Sequence, residues 1–388
     1  MRVKVREELD LVTFVTDEEL KDKIDEILAK ESKRNYFTCE DREELQKEIY
    51  NSIRGLDVLQ ELIEDDRVSE IMVNGAKDIF IEKNGCISKW HKGFSSEEKL
   101  LDVIQQIVSN VNRIVNESTP IVDARLMDGS RVHAVLKPIA LNGPVLTIRK
   151  FPKVPIDMRK LIEWKSISED CVEFLEQLVK AKYNIFISGG TGAGKTTFLN
   201  ALSQFIPKEE RIITIEDSAE LQINIPNLVS LEARNKNLEG TNEVSIRDLI
   251  RASLRMRPDR IIVGEVRSEE ALDMLQAMNT GHDGSISTGH ANSSRDMLTR
   301  LEMMVLMGAE LPLEAIKSQI ASALDVLIHL ERMRDGSRKV VSVEEVIGYS
   351  KGEIILSKIY EYNNETQCLQ KTKNSFQNVD KFKEGNLL

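Results

Sequence analysis

Apolar residues recur at two spacings along the chain, and each change of spacing marks a change of architecture. Between about residues 17 and 65, Leu20, Ile24, Ile27 and Leu28, then Leu45, Ile49 and Ile53, return every three to four positions in a highly charged background. That period predicts short amphipathic helices packed as a small bundle, with no chemical motif of their own. The runs SEIMVNG, DIFIE and CISKW follow at strand spacing, the last two divided by Asn84-Gly85, a pair that favours a tight hairpin. Leu100, Leu101, Ile104, Ile107, Val108, Val111 and Ile114 then line one face of a predicted helix. Asp128-Gly129 and Asn142-Gly143 punctuate further strands ending in VLTIRKF. A mixed α+β domain is the simplest reading of this part. Pro152 and Pro155 interrupt the pattern, and beyond them NIFIS, RIITIE, RIIVGE and GSISTGH alternate with helical stretches, including Glu269 to Asn279. Such alternation predicts a largely parallel sheet flanked by helices, with ligands bound beyond the carboxyl ends of its strands. A helix from Ser294 to Met307, closed by Gly308, leads to hairpins around Asp335-Gly336 and Asn363-Asn364. The last dozen residues are polar and are expected to be disordered.

The predicted organisation is therefore a helical bundle over 1–55, an α+β domain over 56–150, a linker over 151–162 and an α/β domain over 163–388. A length of 388 residues agrees with two or three domains. Hydrophobic residues at 41% and charged residues at 30% are ordinary for a soluble globular protein. No apolar run reaches the ~18 residues of a membrane span, and MRVKVREELD lacks the apolar core of a signal peptide, so a cytoplasmic location is expected. Cys39, Cys86, Cys171 and Cys368 are scattered, which argues against a disulfide scaffold or zinc cluster. A net charge of −11 disfavours a duplex-coating protein, and no specific nucleic-acid partner is expected.

The chemistry starts at Gly189, Gly190, Thr191, Gly192, Ala193, Gly194, Lys195, Thr196 and Thr197, whose first eight residues fit the phosphate-loop pattern GxxxxGK(S/T). The setting fits too. Ile185, Phe186 and Ile187 form a buried-strand run just before the loop, and Phe198, Leu199, Leu202, Phe205 and Ile206 recur at helical spacing after it. Glycines let backbone N–H groups wrap phosphate oxygens at a helix N-terminus; Lys195 adds a mobile positive charge and Thr196 a hydroxyl for Mg²⁺. Nucleotide hydrolysis, with ATP and Mg²⁺ as ligands, is the leading expectation.

Three later strand ends narrow that expectation. RIITIEDSAEL closes on Glu216 and Asp217, with Glu220 nearby, where a carboxylate could polarise water or hold a Mg²⁺-bound water. RIIVGEVR closes on Gly264 and Glu265, whose longer side chain suits water activation or an outer-shell contact to Mg²⁺. Either acid could instead cap the following helix. TGHDGSISTGHANS holds two of five histidines: His290, after Ser287 and Thr288, stands where a γ-phosphate sensor would, whereas His282 after Gly281 also suits a helix end.

GGTGAGKT, TIEDSAEL, RPDRIIVGEVR and TGHDGSISTGHANS, in this order and spacing, resemble the secretion ATPase superfamily of type II and type IV secretion and type IV pili. GLDVLQELIEDDRVSEIMVNG, DARLMDGSRVHAVLKPIALNGPVLTIRKF and ALDVLIHLERMRDGSRKVVSVEEV extend the likeness, which is strongest to the CpaF/TadA branch of tight-adherence (Flp-type) pili. The resemblance implies a RecA-like motor domain behind an N-terminal regulatory domain, assembled as a homo-hexamer. Its ring would associate peripherally with inner-membrane platform proteins at the cytoplasmic face, and hydrolysis would change the domain angle across Pro152 and Pro155. It also implies Glu216 to Glu220 as the acidic box, Glu265 as the variant Walker B acid, His282 to His290 as the histidine box, and Arg131 and Arg149 as arginines that stabilise the transition state. Absence of a tetracysteine module favours the same branch. A DNA-dependent RecA-like motor and a non-catalytic nucleotide switch are the competing expectations.

Overall fold

The computed structural model describes residues 16–32, 38–83, 85–111, 113–151, 155–234 and 243–384. Asn84 of the predicted hairpin turn and Pro152 of the predicted linker lie outside them. The chain divides after Lys153 into two compact units.

The first unit opens with helices α1 (Asp17–Glu31) and α2 (Cys39–Ile53). Each begins at a threonine capping box, in which Thr16 or Thr38 accepts from the backbone N–H three residues on and the acid there bonds back. Leu20, Ile24, Ile27 and Leu28 of α1 share a small core with Ile49 of α2. After α3 (Leu59–Glu64) come β1 (Val68–Asn74), β2 (Ile79–Lys83), β3 (Cys86–Lys89), α4 (Glu97–Ser109), β4 (Ile121–Arg125), β5 (Arg131–Val135) and β6 (Val145–Arg149). The six strands form one antiparallel sheet in the order β3-β2-β1-β6-β5-β4. Helix α4 buries Leu100, Val103, Ile104, Ile107 and Val108 in this unit's core, but it ends at Ser109, so Val111 and the exposed Ile114 of the predicted face lie beyond it.

The second unit runs through α5 (Met158–Glu163), α6 (Glu169–Lys180), β7 (Ile185–Gly189), α7 (Lys195–Ser203), β8 (Ile212–Glu216), β9 (Leu228–Glu232), α8 (Ile246–Ser253), β10 (Arg260–Val263), α9 (Glu270–Met278), β11 (Ile286–Gly289), α10 (Ser294–Gly308), α11 (Leu313–Ala323), β12 (Val326–Arg332), β13 (Arg338–Ser350), β14 (Glu353–Asn363), β15 (Cys368–Lys371) and α12 (Asp380–Glu384). Strand order is β15-β14-β13-β12-β7-β11-β10-β8-β9. Pairing is parallel from β12 through to β9 and antiparallel from β12 outward to β15. Strands β7, β8, β10 and β11 are buried along their whole length, as expected of a sheet covered by helices. Two hydrophobic clusters share the sheet's residues, one gathering α6 and α7, the other α9, α10 and α11. Doubly covered parallel sheet of this kind is the α/β architecture expected from the alternation, and it agrees with the RecA-like fold that the resemblance implies.

Two stretches differ from the sequence reading. The end of the expected linker is helix α5, whose Met158 and Leu161 are buried in the second unit's core. Nor are residues 377–383 disordered. The buried carboxylate of Glu345 accepts the backbone N–H groups of Gln377 and Asn378. Lys381 Nζ stands 2.8 Å from both Asp283 and Asp325, and Phe382 is buried against Tyr183. These anchors come from residues scattered along the chain, so the tail's own polar composition conceals them.

Arg260, fully buried at the start of β10, is held by Glu210. Removing the acid leaves a buried charge uncompensated, which costs about 3 kcal/mol. Glu210→Ala is therefore expected to lose about that much in denaturant unfolding of the full chain; a loss within error of zero would show that water reaches Arg260.

Candidate functional site

The loop joining β7 to α7 owes its shape to three glycines. A Cβ at Gly189 would fall 2.5 Å from Leu330 O, so strand β12 can approach only a glycine there. Gly192 (φ 72°) and Gly194 (φ 92°) take the left-handed conformation that side chains disfavour. Gly194 is also the N-cap of α7, so the helix's first N–H groups point out of the loop. Gly190 and Thr191 are exposed, Ala193 is buried beneath the loop, and Thr196 and Thr197 sit half-buried in the first turn of α7.

Lys195 is 7% exposed and donates to Gly189 O and Gly190 O, both at 3.1 Å. Its third contact is His290 Nδ1, at 3.2 Å. An ammonium group only donates, so Nδ1 must accept and the ring proton is assigned to Nε2, which lies 2.7 Å from Glu265 Oε1. Register explains the meeting: β11 runs parallel to β7 with Gly289 opposite Ser188, and His290 follows at the strand end. Burial lowers the pKa of His290, and the Lys195 charge lowers it further against the opposing pull of Glu265. The neutral ring is the resting form near pH 7.

Glu265 follows β10 and Gly264. Burial by itself would raise its carboxyl, but the bond from Arg267, with the charges of Arg267 and Lys195, brings it below the usual glutamate range. Arg267 Nη2 reaches Glu265 Oε2 at 2.8 Å, and Nη1 stands 3.7 Å from Asp217 Oδ2. Glu265 thus stays ionised with one oxygen turned to His290. Glu216, 4% exposed, spends its carboxylate on the chain that follows it: Oε2 accepts from Glu220 N at 2.7 Å and from Leu221 N at 3.1 Å, and Oε1 from Leu221 N at 3.3 Å. Gly264 makes room for it, since a Cβ there would lie 2.8 Å from Glu216 Cγ. Ser287 and Thr288 turn inward, donating to Val263 O and Gly264 O and tying β11 to β10.

Among the described residues, no cluster of three or more His, Cys, Asp or Glu side chains could hold a metal ion. What the loop offers is the Thr196 hydroxyl, with the Glu265 carboxylate following β10, which is separated from β7 by β11. That sparse oxygen set suits Mg²⁺, which keeps most of its waters and takes phosphate oxygens as ligands. His282 sits at the end of α9 with Nδ1 3.3 Å from Ala277 O, as a helix-end residue would. Arg131 and Arg149 belong to the first unit, where they are direct cross-strand partners on β5 and β6; Arg131 also lies 3.8 Å from Asp123. Arg267 was passed over in the sequence reading, although it follows Glu265 by two positions in the same motif. So were Arg332 and Arg338, which carry no local signal of nearness to the loop.

Residues 52–379 match the family described as Type II/IV secretion system protein. The chain is 33% identical over 293 residues to the conjugal transfer protein TrbB of Rhizobium radiobacter, covering 74% of this chain and 86% of that one. It is 30% identical over 328 residues to the type IV secretion system protein VirB11 of Bartonella henselae, covering 74% and 91%. In fold it is similar to the Legionella pneumophila ATPase DotB, with a TM-score of 0.54 at 20% identity over 75% of this chain and 79% of that chain.

The contacts of His290 set a titration. In NMR its ring is expected to titrate below the ordinary 6.5, to move up in Lys195→Met and further down in Glu265→Gln. As pH falls, the unfolded chain takes this proton before the folded one, so the histidine's contribution to stability is present above about pH 6.5 and lost below it. A ring indifferent to both substitutions would mean that the Lys195–His290–Glu265 contacts do not persist in solution.

Proposed function

Because the chain belongs to the type II/IV secretion system protein family, that of the secretion ATPases, we propose that it is a Mg²⁺-dependent ATP-hydrolysing motor of the tight-adherence branch. The observation that carries this reading is the His290 ring, set between the phosphate-loop lysine and the only acid at the end of β10. When nucleotide enters, Lys195 exchanges the carbonyls of Gly189 and Gly190 for β- and γ-phosphate oxygens. The freed Nδ1 of His290 then takes a proton from solvent, favoured by the phosphates on one side and Glu265 on the other, and donates it to the γ-phosphate, while Nε2–H stays turned to Glu265 as that carboxylate orients the attacking water. Thr196, with Glu265 through water, would hold the Mg²⁺, which supplies charge neutralisation at the phosphates. Glu216 braces the loop carrying Asp217 and Glu220 and acts on the water only through that positioning. Arg131 and Arg149 are assigned the charge that gathers in the transition state.

In this reading the working form is a homo-hexameric ring at the cytoplasmic face of the inner membrane, coupled to platform proteins of a pilus or secretion system. Among the described residues no helix is long and apolar enough to cross a membrane. Turnover per subunit is expected to rise with protein concentration and then level, with Mg²⁺ and without nucleic acid. Lys195→Ala should lower turnover at least a hundredfold, and Glu265→Gln should keep ATP binding while hydrolysis falls about a hundredfold. Unchanged hydrolysis in Glu265→Gln would move the water-orienting role to Glu216. Absent turnover at every concentration, with platform proteins present, would replace the motor with a nucleotide switch.

A further inference from the structure

Strand β12 does more than flank the loop. It ends at Arg332, and the chain turns through Met333 and Ser337 so that Arg338 opens β13 as the direct cross-strand partner of Arg332. Partners in an antiparallel pair share a face, and like charges placed there repel. Among the described residues no carboxylate lies within ion-pair distance of either guanidinium. The turn's own acid, Asp335, is taken up by the backbone N–H and hydroxyl of Ser337. The face is that of the phosphate loop: Leu330 and Val340, the pair two positions back and so on the same face, are buried in the core that includes Phe198 and Leu199 of α7. Arg338 Nε donates to Gly192 O at 3.3 Å, its Cγ lies 3.6 Å from where a Cβ of Gly194 would stand, and Arg332 Nη1 lies 3.8 Å from that of Gly192.

Two opposed, solvent-exposed cations held over a phosphate-binding loop with no acid between them are arranged for an anion. We infer that Arg332 and Arg338 form a second cationic wall of the nucleotide site, engaging the polyphosphate of a nucleoside di- or triphosphate bound in the same subunit and selecting it over monophosphates and nucleosides. The inference rests on the nucleotide reading above and adds to it two residues that lie far along the chain from the loop. Binding relieves the repulsion between the guanidiniums while adding charge-assisted hydrogen bonds to those from α7 and Lys195.

The test is titration of the full chain with Mg–ADP and with AMP, alongside melting of the nucleotide-free protein. Arg332→Gln and Arg338→Gln are each expected to weaken Mg–ADP about tenfold, with little change for AMP. Lysine at either position should restore part of the loss. Arg334→Gln, which removes the same charge from the exposed turn, should change affinity less than twofold. Melting of the nucleotide-free variants should be unchanged or higher, because a repulsive pair has been broken. Wild-type affinity for Mg–ADP in the double variant overturns the inference and leaves the motor reading intact. Weaker binding accompanied by a lower melting temperature also overturns it, by showing that the arginines hold the hairpin rather than the ligand. A wild-type chain that does not bind Mg–ADP removes the nucleotide reading itself.

Discussion

One neutral imidazole ring connects the parts of this site. His290 can accept from Lys195 and face Glu265 at once only because parallel pairing delivers the ends of β7 and β11 side by side, with Glu265 following the next strand, β10. A protonated ring would face an ammonium group across 3.2 Å, so the contact is self-consistent only with the proton on Nε2. The lysine, histidine and glutamate therefore behave as a unit, in which a change of partner at one member is felt at the other two. Arg267 and Glu216 set the boundary conditions: the first keeps Glu265 ionised, and the second spends its own charge on the backbone and so leaves Glu265 as the acid turned to His290.

What could be read from the sequence is what local chemistry dictates. Glycines, a lysine and a threonine at fixed spacing between an apolar run and a helical stretch point to a phosphate loop, because the pattern lies within nine residues, even though the carbonyl that confines Gly189 comes from Leu330. Strand ends in Glu265 and His290 were visible for the same reason, since polar residues closing an apolar run in a parallel sheet lie on its ligand side. Partnerships across strands were not. That Glu216 serves Glu220 and Leu221 depends on how one loop folds back, and that Gly264 is small for the sake of Glu216 depends on β8 lying beside β10. RMRDGSRK reads as a charged surface turn until β12 is placed next to β7.

The same distinction accounts for the carboxyl-side stretch around Lys381. Its composition is polar, yet the groups that anchor it have partners more than thirty residues away: Glu345 for the backbone of residues 377 and 378, and Asp283 and Asp325 for Lys381. Two phenylalanines, Phe376 and Phe382, pack against Tyr183 close to the start of β7. Disorder follows from polarity only when no such partners exist, and a chain of this length has many places to hide them.

The position of β7 in the sheet bears on how the molecule is made. Its two neighbours, β11 and β12, arrive about 100 and 140 residues later in the chain, and the carbonyl that confines Gly189 belongs to Leu330. A ribosome adding roughly 5–20 residues per second exposes the loop for at least several seconds before either neighbour exists. During that interval the glycine-rich segment has no sheet to hold its strand and no histidine for its lysine. The emerging chain therefore cannot bind nucleotide in the finished manner while the unit is half made, and the geometry on which the site depends is completed only after β12 has been translated.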